Sequence, residues 1–153
     1  MPTWHRVFGS NPTMPEPQAL LEHLQQQGHA VSGQFRGDDQ GWFRAELILQ
    51  PNSHICYLDR YLSLEDGLRA ELNTWAAWLE TEEENPQAAQ LMERIIRTVQ
   101  LFTIQPAPTE ADDSPLLPCC LQLCRFLAEL TNGIYQVDSQ GFFDANGALL
   151  LKE

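Results

Sequence analysis

The sequence predicts an α+β fold in which antiparallel strands pack against helices. Short segments rich in β-branched and aromatic residues alternate with segments that have apolar residues at helical spacing. A hairpin-like segment occurs near each end, and 153 residues, 43% of them hydrophobic, are enough to bury one core. We expect a single domain over residues 1–153, with two βαββ-type halves at about 3–49 and 99–152, a helical middle at 63–98 and ferredoxin-like packing.

A short strand and a helix open the first half. Residues 4–8 include two aromatic residues and a valine, and turn residues follow them from Gly9 onward. The next helix starts near Pro15 and Pro17 and stops near Gly28, because proline is tolerated in a first helical turn and glycine suits the position after the last one. Its apolar face contains Ala19, Leu20 and Leu24.

Two strands and a short turn then predict a hairpin. Residues 31–36 and 42–49 have strand composition, and the turn 37–41 between them supplies Gly41 for a left-handed residue. A further strand is expected at 55–61.

Two amphipathic helices are expected in the middle of the chain. Ser63 can cap the first, and Asp66 stands at the third position of a capping box in place of the usual Glu. One apolar stripe marks its buried face: Leu64, Leu68, Leu72, Trp75, Ala76 and Leu79. The acidic run 80–86 breaks this helix. A second helix from about Gln87 presents Ala88, Leu91, Met92, Ile95 and Ile96 on one face.

The second half has the same order of elements as the first. A strand at 99–105 precedes the loop 106–114, which is too polar and too rich in proline to pack. A helix at about 115–131 follows, and two or three strands at 133–151 close the chain.

An internal repeat relates the two predicted hairpins. Residues 31–43 and 131–143 align without gaps and are identical at five of thirteen positions: Gly33/Gly133, Asp38/Asp138, Gln40/Gln140, Gly41/Gly141 and Phe43/Phe143. Two further pairs are aromatic in both copies, Phe35/Tyr135 and Trp42/Phe142. The repeat indicates either a duplication or one hairpin solution used twice.

Period-two alternation makes a prediction for the aromatic residues after the first turn. It assigns Phe43, Ala45, Leu47 and Leu49 to the core face and Trp42, Arg44, Glu46 and Ile48 to the other. Trp42, with Phe142 as its counterpart, is then either covered by another element or exposed beside Arg44. In the exposed case, Trp42, Arg44 and Phe142 are candidate partner-binding residues.

Charge narrows the classes of partner. The 21 acidic and 9 basic residues give a formal charge of -12, which disfavours nucleic acid and anionic membranes. The same charge favours a basic protein partner, and the alternative is an acidic surface that serves solubility alone. Glu82, Glu83 and Glu84 are either candidate contacts for such a partner or a solvated turn, and Trp78, at the edge of the helical stripe, is either a candidate anchor or covered by a neighbouring loop. The single lysine, Lys152, disfavours Schiff-base and phosphate-loop chemistry.

The cysteines do not predict an active site. Cys56, Cys119, Cys120 and Cys124 could join His54 in a zinc site, but helical periodicity places the last three in an apolar arc, which favours free buried thiols. We predict no catalytic residue, metal or cofactor, and the sequence leans against an enzyme. It contains no apolar run of about 18 residues and no N-terminal signal segment, so we expect a cytoplasmic protein that does not enter membranes.

Two segments carry a resemblance. Residues 73–80 (NTWAAWLE) and 131–143 (TNGIYQVDSQGFF) resemble segments of small acidic bacterial proteins with no assigned activity. The closing helix, strand, Gln-Gly-aromatic turn and strand are also similar to those of some bacterial toxin-immunity proteins. This resemblance covers about a fifth of the chain, supplies no catalytic residues, and implies a bacterial protein-binding or immunity-like module. The alternatives are a small-ligand sensor with a cleft between the halves and an enzyme of unrecognised type.

Overall fold

The computed structural model describes residues 3–62, 66–82 and 84–153. Over these residues the chain forms, in order, β1 (His5–Gly9), α1 (Pro17–Gln26), β2 (Val31–Asp38), β3 (Gly41–Leu49), β4 (His54–Leu62), α2 (Asp66–Glu80), α3 (Pro86–Ile96), β5 (Gln100–Pro106), α4 (Leu117–Leu130), β6 (Ile134–Val137), β7 (Gly141–Phe143) and β8 (Leu149–Lys152). A 3-10 turn, Ser114–Leu116, leads into α4. The strands form one sheet in the order β2-β3-β4-β5-β1-β6-β7-β8, and all neighbours are antiparallel. The predicted α+β class with antiparallel strands is confirmed.

Helices pack on both faces of this sheet. Val7 and Phe8 are adjacent on the central strand β1, so their side chains point to opposite faces. Val7 packs in a core with residues of α1 and α4, which we call the α1/α4 core. Phe8 packs in a second core with residues of α2 and α3, the α2/α3 core. The centre of the sheet is therefore buried on both sides.

The two βαββ segments occupy different positions in the sheet. β2 and β3 lie at one end, separated from β1 by β4 and β5, whereas β6 is a direct neighbour of β1. The predicted arrangement of two similar halves with ferredoxin-like packing is not confirmed. The hairpins lie at non-equivalent positions, and helices cover both faces of the sheet.

Local sequence signals account for the ends of the helices. The Asn85 side chain caps α3 by accepting a hydrogen bond of 2.9 Å from the backbone N–H of Gln87, and proline occupies the first helical position. After α1 the chain turns at Gly28, whose φ of +91° favours glycine. The predicted cap Ser63 lies outside the described residues.

The predicted stripe of α2 is buried where it is described. Leu68, Leu72 and Leu79 are at most 2% exposed in the α2/α3 core, and Trp75 and Trp78 pack half-buried against the same core. Leu64 lies outside the described residues. Helical periodicity therefore identified the buried face of this helix correctly.

A β-bulge overturns the predicted facing of residues 42 and 43. Arg36 pairs with Arg44 but Gly37 pairs with Trp42, so Phe43 is an extra residue in β3. The bulge turns Trp42 into the α1/α4 core, where it is 4% exposed, and leaves Phe43 45% exposed. Alternation alone predicted the reverse.

Contacts of the Trp42 side chain explain why the bulge is favourable. Its indole N–H donates a hydrogen bond of 2.7 Å to the carbonyl of Pro15, and its ring meets Phe35 edge-on at 5.4 Å between centroids. Burying the larger ring with its polar group paired stabilises the fold more than burying Phe43 would.

The loop 106–114 does pack, contrary to the prediction. Ala107 is 4% exposed, and Asp113 accepts a hydrogen bond of 2.8 Å from the backbone N–H of Thr3. Glu110 accepts one bond from the backbone N–H of Ile55 at 2.6 Å and lies 3.0 Å from Nδ1 of His54. Both bonds lower the pKa of Glu110, and the bond with His54 has the larger effect. The loop has few apolar side chains to bury, but the hydrogen bonds of Asp113 and Glu110 hold it against neighbouring segments.

The four cysteines are free and buried, as predicted. Burial raises the pKa of Cys119 to about 12 and raises that of Cys124 as well, so these thiols stay protonated. Within residues 3–62, 66–82 and 84–153, no group of three or more Cys, His, Asp or Glu side chains is arranged to hold a metal ion. The thiols belong to the α1/α4 core.

Candidate functional site

The structure separates the residues predicted to bind a partner. Trp42 is a core residue on β3, and Phe142 is fully buried on β7, five strands away. Phe142 lies beneath α2, with its ring centroid 5.6 Å from that of Trp75 and 6.1 Å from that of Trp78. Trp42 and Phe142 are therefore not exposed contacts, because helices cover them on opposite faces of the sheet.

The acidic candidates lie elsewhere. Glu82 and Glu84 are exposed at the turn between α2 and α3, and Glu83 lies outside the described residues. Trp78 is half-buried in the α2/α3 core, which leaves only part of its ring accessible. Arg44 is the one predicted residue whose side chain lies on an uncovered part of the sheet, where it is 45% exposed.

Helices α2 and α3 leave one end of the sheet uncovered. Tyr61 of β4 packs against the α2/α3 core, so Tyr57 and Asp59, at alternate positions of the same strand, share its face. Strand pairing then places the side chains of β3 and β2 opposite them on this face. We call the result the open face, defined by Gln34, Arg36, Arg44, Glu46, Tyr57 and Asp59.

One row of side chains crosses the open face toward the centre of the sheet. Arg36 is paired with Arg44, and Arg44 with Asp59. Asp59 is paired in turn with Thr103, and Thr103 with Arg6. Directly opposed side chains in antiparallel strands lie about 5 Å apart at Cβ, so each charged member of this row interacts electrostatically with its neighbours.

Arg44 is held by two contacts. Its Nε lies 3.0 Å from Oδ1 of Asp59, and its guanidinium lies over the ring of Tyr57 at 4.7 Å from the centroid. Burial raises the pKa of Asp59, and the charge of Arg44 opposes that rise. The Arg44 guanidinium therefore lies over an aromatic ring and is also paired with a carboxylate.

Arg6 is held more completely. Its Nε lies 2.9 Å from Oε1 of Glu71 on α2, and its Nη1 lies 2.8 Å from Oδ1 of Asp138 at the β6–β7 turn. Its guanidinium also contacts the rings of Trp4 and Trp75 at 5.4 and 5.1 Å. With two carboxylates beside one guanidinium, Arg6 ties three elements together and offers no excess positive charge.

Arg36 differs from both. It is exposed on the edge strand β2, and no carboxylate in the described part of the chain pairs with it. Its neighbour across the ladder is Arg44, a like charge. Arg36 therefore ends the row with a positive charge that no carboxylate of the row neutralises, although the protein as a whole has a net charge of -12.

Three clefts lie on or beside the open face. The first, about 300 Å³, is lined by Gln34, Arg36, Arg44, Glu46, Tyr57 and Pro108. A second cleft of about 550 Å³ shares Pro108 with it, and a third of about 380 Å³ shares Trp4 with the second. Neighbouring clefts therefore have one lining residue in common.

The floor of the third cleft contains an unsatisfied polar atom. The hydroxyl of Thr103 is buried and has no hydrogen-bond partner among the described residues. The same cleft is lined by Arg6 and by Tyr61 and Leu68, which gives it a mixed polar and apolar wall. A ligand group that reached the floor would find one hydroxyl free to donate or accept.

Sequence reasoning identified Arg44 but missed Arg36, Tyr57, Asp59 and Thr103. A signal was present only in part, because polar and apolar residues alternate at Gln34–Arg36 of β2 and Tyr57–Asp59 of β4 but not along the whole of either strand. That pattern marks the side of a strand that faces away from a core. It cannot tell whether a helix later covers that side.

Among the described residues, no helix is both long enough and apolar enough to cross a membrane. Searches against protein-family models, curated proteins and solved structures found no match to this chain.

Proposed function

We propose that the protein is a non-enzymatic module that binds a protein partner through its open face. The observation that supports this most is the first cleft, an open cleft of about 300 Å³ over uncovered strands, with the Arg44–Tyr57 stack in its wall. Protein interfaces are enriched in arginine and tyrosine, whereas small-molecule sites are more often enclosed and mostly apolar. An immunity-like role is one form of this proposal.

The test pairs two sets of substitutions. Arg44→Ala with Tyr57→Ala removes the stack on the open face, and Glu82→Ala with Glu84→Ala removes exposed charge at the α2–α3 turn. A partner is captured from host extract with the wild-type protein, and its dissociation constant is then measured with each purified variant. We expect the first set to weaken binding by about tenfold or more, as for a central interface anchor, and the second to leave it unchanged.

Each other outcome has a definite meaning. Loss of binding only in the Glu82 and Glu84 set would show that the partner binds at the acidic turn between α2 and α3, and would favour a basic partner protein. Loss in neither set would overturn the proposal. Circular dichroism and urea midpoints of both sets check that the variants are folded.

A second candidate is a small-ligand sensor that uses the third cleft. The buried, unpaired hydroxyl of Thr103 and the mixed wall of that cleft favour it. It predicts that a ligand raises the thermal unfolding temperature of the wild type and that Thr103→Val abolishes the rise.

A further inference from the structure

The edge of the sheet beside the open face has no neighbouring strand in the described part of the chain. β2 spans eight residues, Val31–Asp38, and among the described strands it pairs with β3 alone. The carbonyl of Val31 accepts a bond of 3.1 Å from the Gln25 side chain, which occupies the start of this edge. Beyond it, Ser32, Gln34 and Arg36 are exposed.

The opposite edge is protected in ways that β2 is not. β8 is four residues long and carries Lys152, and short length and lysine are common devices against edge pairing. β2 contains neither proline nor lysine and is twice as long. The bulge lies in β3, opposite the Arg36–Gly37 step, so it leaves the start of β2 regular.

The charges at this edge indicate which kind of added strand would pair with β2. Arg44 is compensated by Asp59, but Arg36 has Arg44 on one side and solvent on the other. A strand added next to β2 would place one side chain directly opposite Arg36 on the open face, and an acidic residue there would form a favourable cross-strand pair. Its neighbouring residue would stand opposite Phe35, which is half-buried against the α1/α4 core, and an apolar side chain would suit that position.

We propose that β2 accepts an extended segment of a partner protein as a ninth strand, with an acidic residue opposite Arg36 and an apolar residue opposite Phe35. This inference rests on the proposed binding function and specifies the chemistry of the partner. Backbone hydrogen bonds supply affinity in such strand addition, and alternate side chains supply selectivity.

A second copy of this chain does not meet the requirement. A twofold pair of β2 strands is antiparallel, and registers with a wide overlap place Ser32 or Gln34 opposite Arg36 on the same face. Asp38 comes opposite Arg36 only when about three residues of each strand overlap, too few for a stable pairing. The charge at the edge therefore favours a different chain.

The experiment uses three labelled eight-residue peptides in which valine alternates with glutamate, glutamine or lysine. Titrated against the full protein by fluorescence anisotropy, the glutamate peptide is expected to bind about fivefold more tightly than the glutamine peptide and more tightly still than the lysine peptide. The net charge of -12 repels the glutamate peptide overall, so this preference can arise only from local pairing. Arg36→Glu is expected to reverse the order.

Two controls separate edge pairing from general charge effects. Arg97→Glu makes the same charge change at an exposed position just past the last turn of α3, where it removes an ion pair with Glu93, and is expected to leave the order unchanged. N-methylation of alternate peptide residues is expected to abolish binding in one set and preserve it in the other, because only one edge of the peptide faces β2.

The opposite results would overturn the inference. No binding of the glutamate peptide up to about 1 mM, or equal binding of all three peptides, would exclude an acid-selective edge. A concentration-dependent dimer that competes with the peptide would show that a second copy occupies β2. If the peptides fail while Arg44→Ala with Tyr57→Ala still loses the captured partner, only this inference falls and the proposed function stands.

Discussion

The hairpins β2–β3 and β6–β7 have similar sequences, but their aligned residues Trp42 and Phe142 lie on opposite faces of the sheet. Both use a glycine in the left-handed region, Gly41 with φ +102° and Gly141 with φ +129°. The first closes at the Asp38–Gly41 pair around a two-residue turn, and the second at the Val137–Gly141 pair around a three-residue turn.

A bulge then changes the outcome for the first hairpin. Because Phe43 is an extra residue, Trp42 enters the α1/α4 core, whereas Phe142, without such a shift in its pairing to β6, enters the α2/α3 core. Shared turn residues therefore do not fix the length of the turn or the facing of the residues that follow it.

Each hairpin is also anchored by an arginine from another strand, in a different way. Arg60 of β4 donates hydrogen bonds to the backbone carbonyls of Gln40 and Trp42 at 3.3 and 3.1 Å. Arg6 of β1 instead bonds the Asp138 side chain. The first hairpin is held by its main chain and the second by a side-chain charge.

The largest expected effect tests the opposite facing of the two aromatics. Trp42→Ala and Phe142→Ala should each lower the free energy of unfolding by about 3–5 kcal/mol, because each deletes a large ring from a packed core. Phe43→Ala, at the exposed bulge position, should cost less than about 1 kcal/mol. Urea denaturation measures all three. A small loss of unfolding free energy at either buried position would contradict the burial of Trp42 and Phe142 on opposite faces.

The next effect concerns pH and the strand beside the second hairpin. His5 of β1 is paired with Val137, and burial, only partly opposed by Asp138, lowers its pKa to about 4. The unfolded chain binds this proton near pH 6.5 and the folded chain does not, so His5 lowers stability progressively as pH falls from about 6.5 to about 4, by up to about 3 kcal/mol.

Variants isolate this contribution. His5→Phe should remove that part of the pH dependence, while His29→Gln, in the turn after α1, controls for the loss of a histidine. Urea midpoints from pH 7 to pH 4 measure the difference between variant and wild type. Hydrogen exchange should show that β6–β7 loses protection before β2–β3 does. A His5→Phe curve parallel to the wild type would contradict the assignment.

The smallest effect distinguishes the two turn glycines. Alanine at either position is strained by positive φ, at a cost of about 1–2 kcal/mol. At Gly141 the added Cβ also meets the backbone carbonyl oxygen of Leu151, whereas at Gly41 it meets the flexible end of the Met14 side chain. Gly141→Ala should therefore cost about 1–3 kcal/mol more than Gly41→Ala in urea denaturation. Equal costs would mean that β8 can move away from the turn.

Local signals predicted much of the fold correctly. The stripe containing Leu68 and Leu72, the turn near Gly41 and the buried free cysteines all follow from periodicity and residue type. Of the two alternatives that the sequence left open for Trp42 and Phe142, the structure shows the covered one, because exposure depends on which elements cover a strand. Glu110 was missed for a similar reason, since its bonds to His54 and Ile55 join segments far apart in sequence.

The sequence alone determined the order and type of the elements, because helical stripes, capping residues and turn glycines act within a few positions of the chain. Tertiary structure decided the bulge at Phe43, the separate places of the two hairpins and the uncovered end of the sheet. These features depend on contacts between distant segments, such as the bond from Trp42 to Pro15 and the packing of α2 over Phe142. Pairing and burial energies across the whole chain, not the preference of any one residue, set which face of each strand remains open.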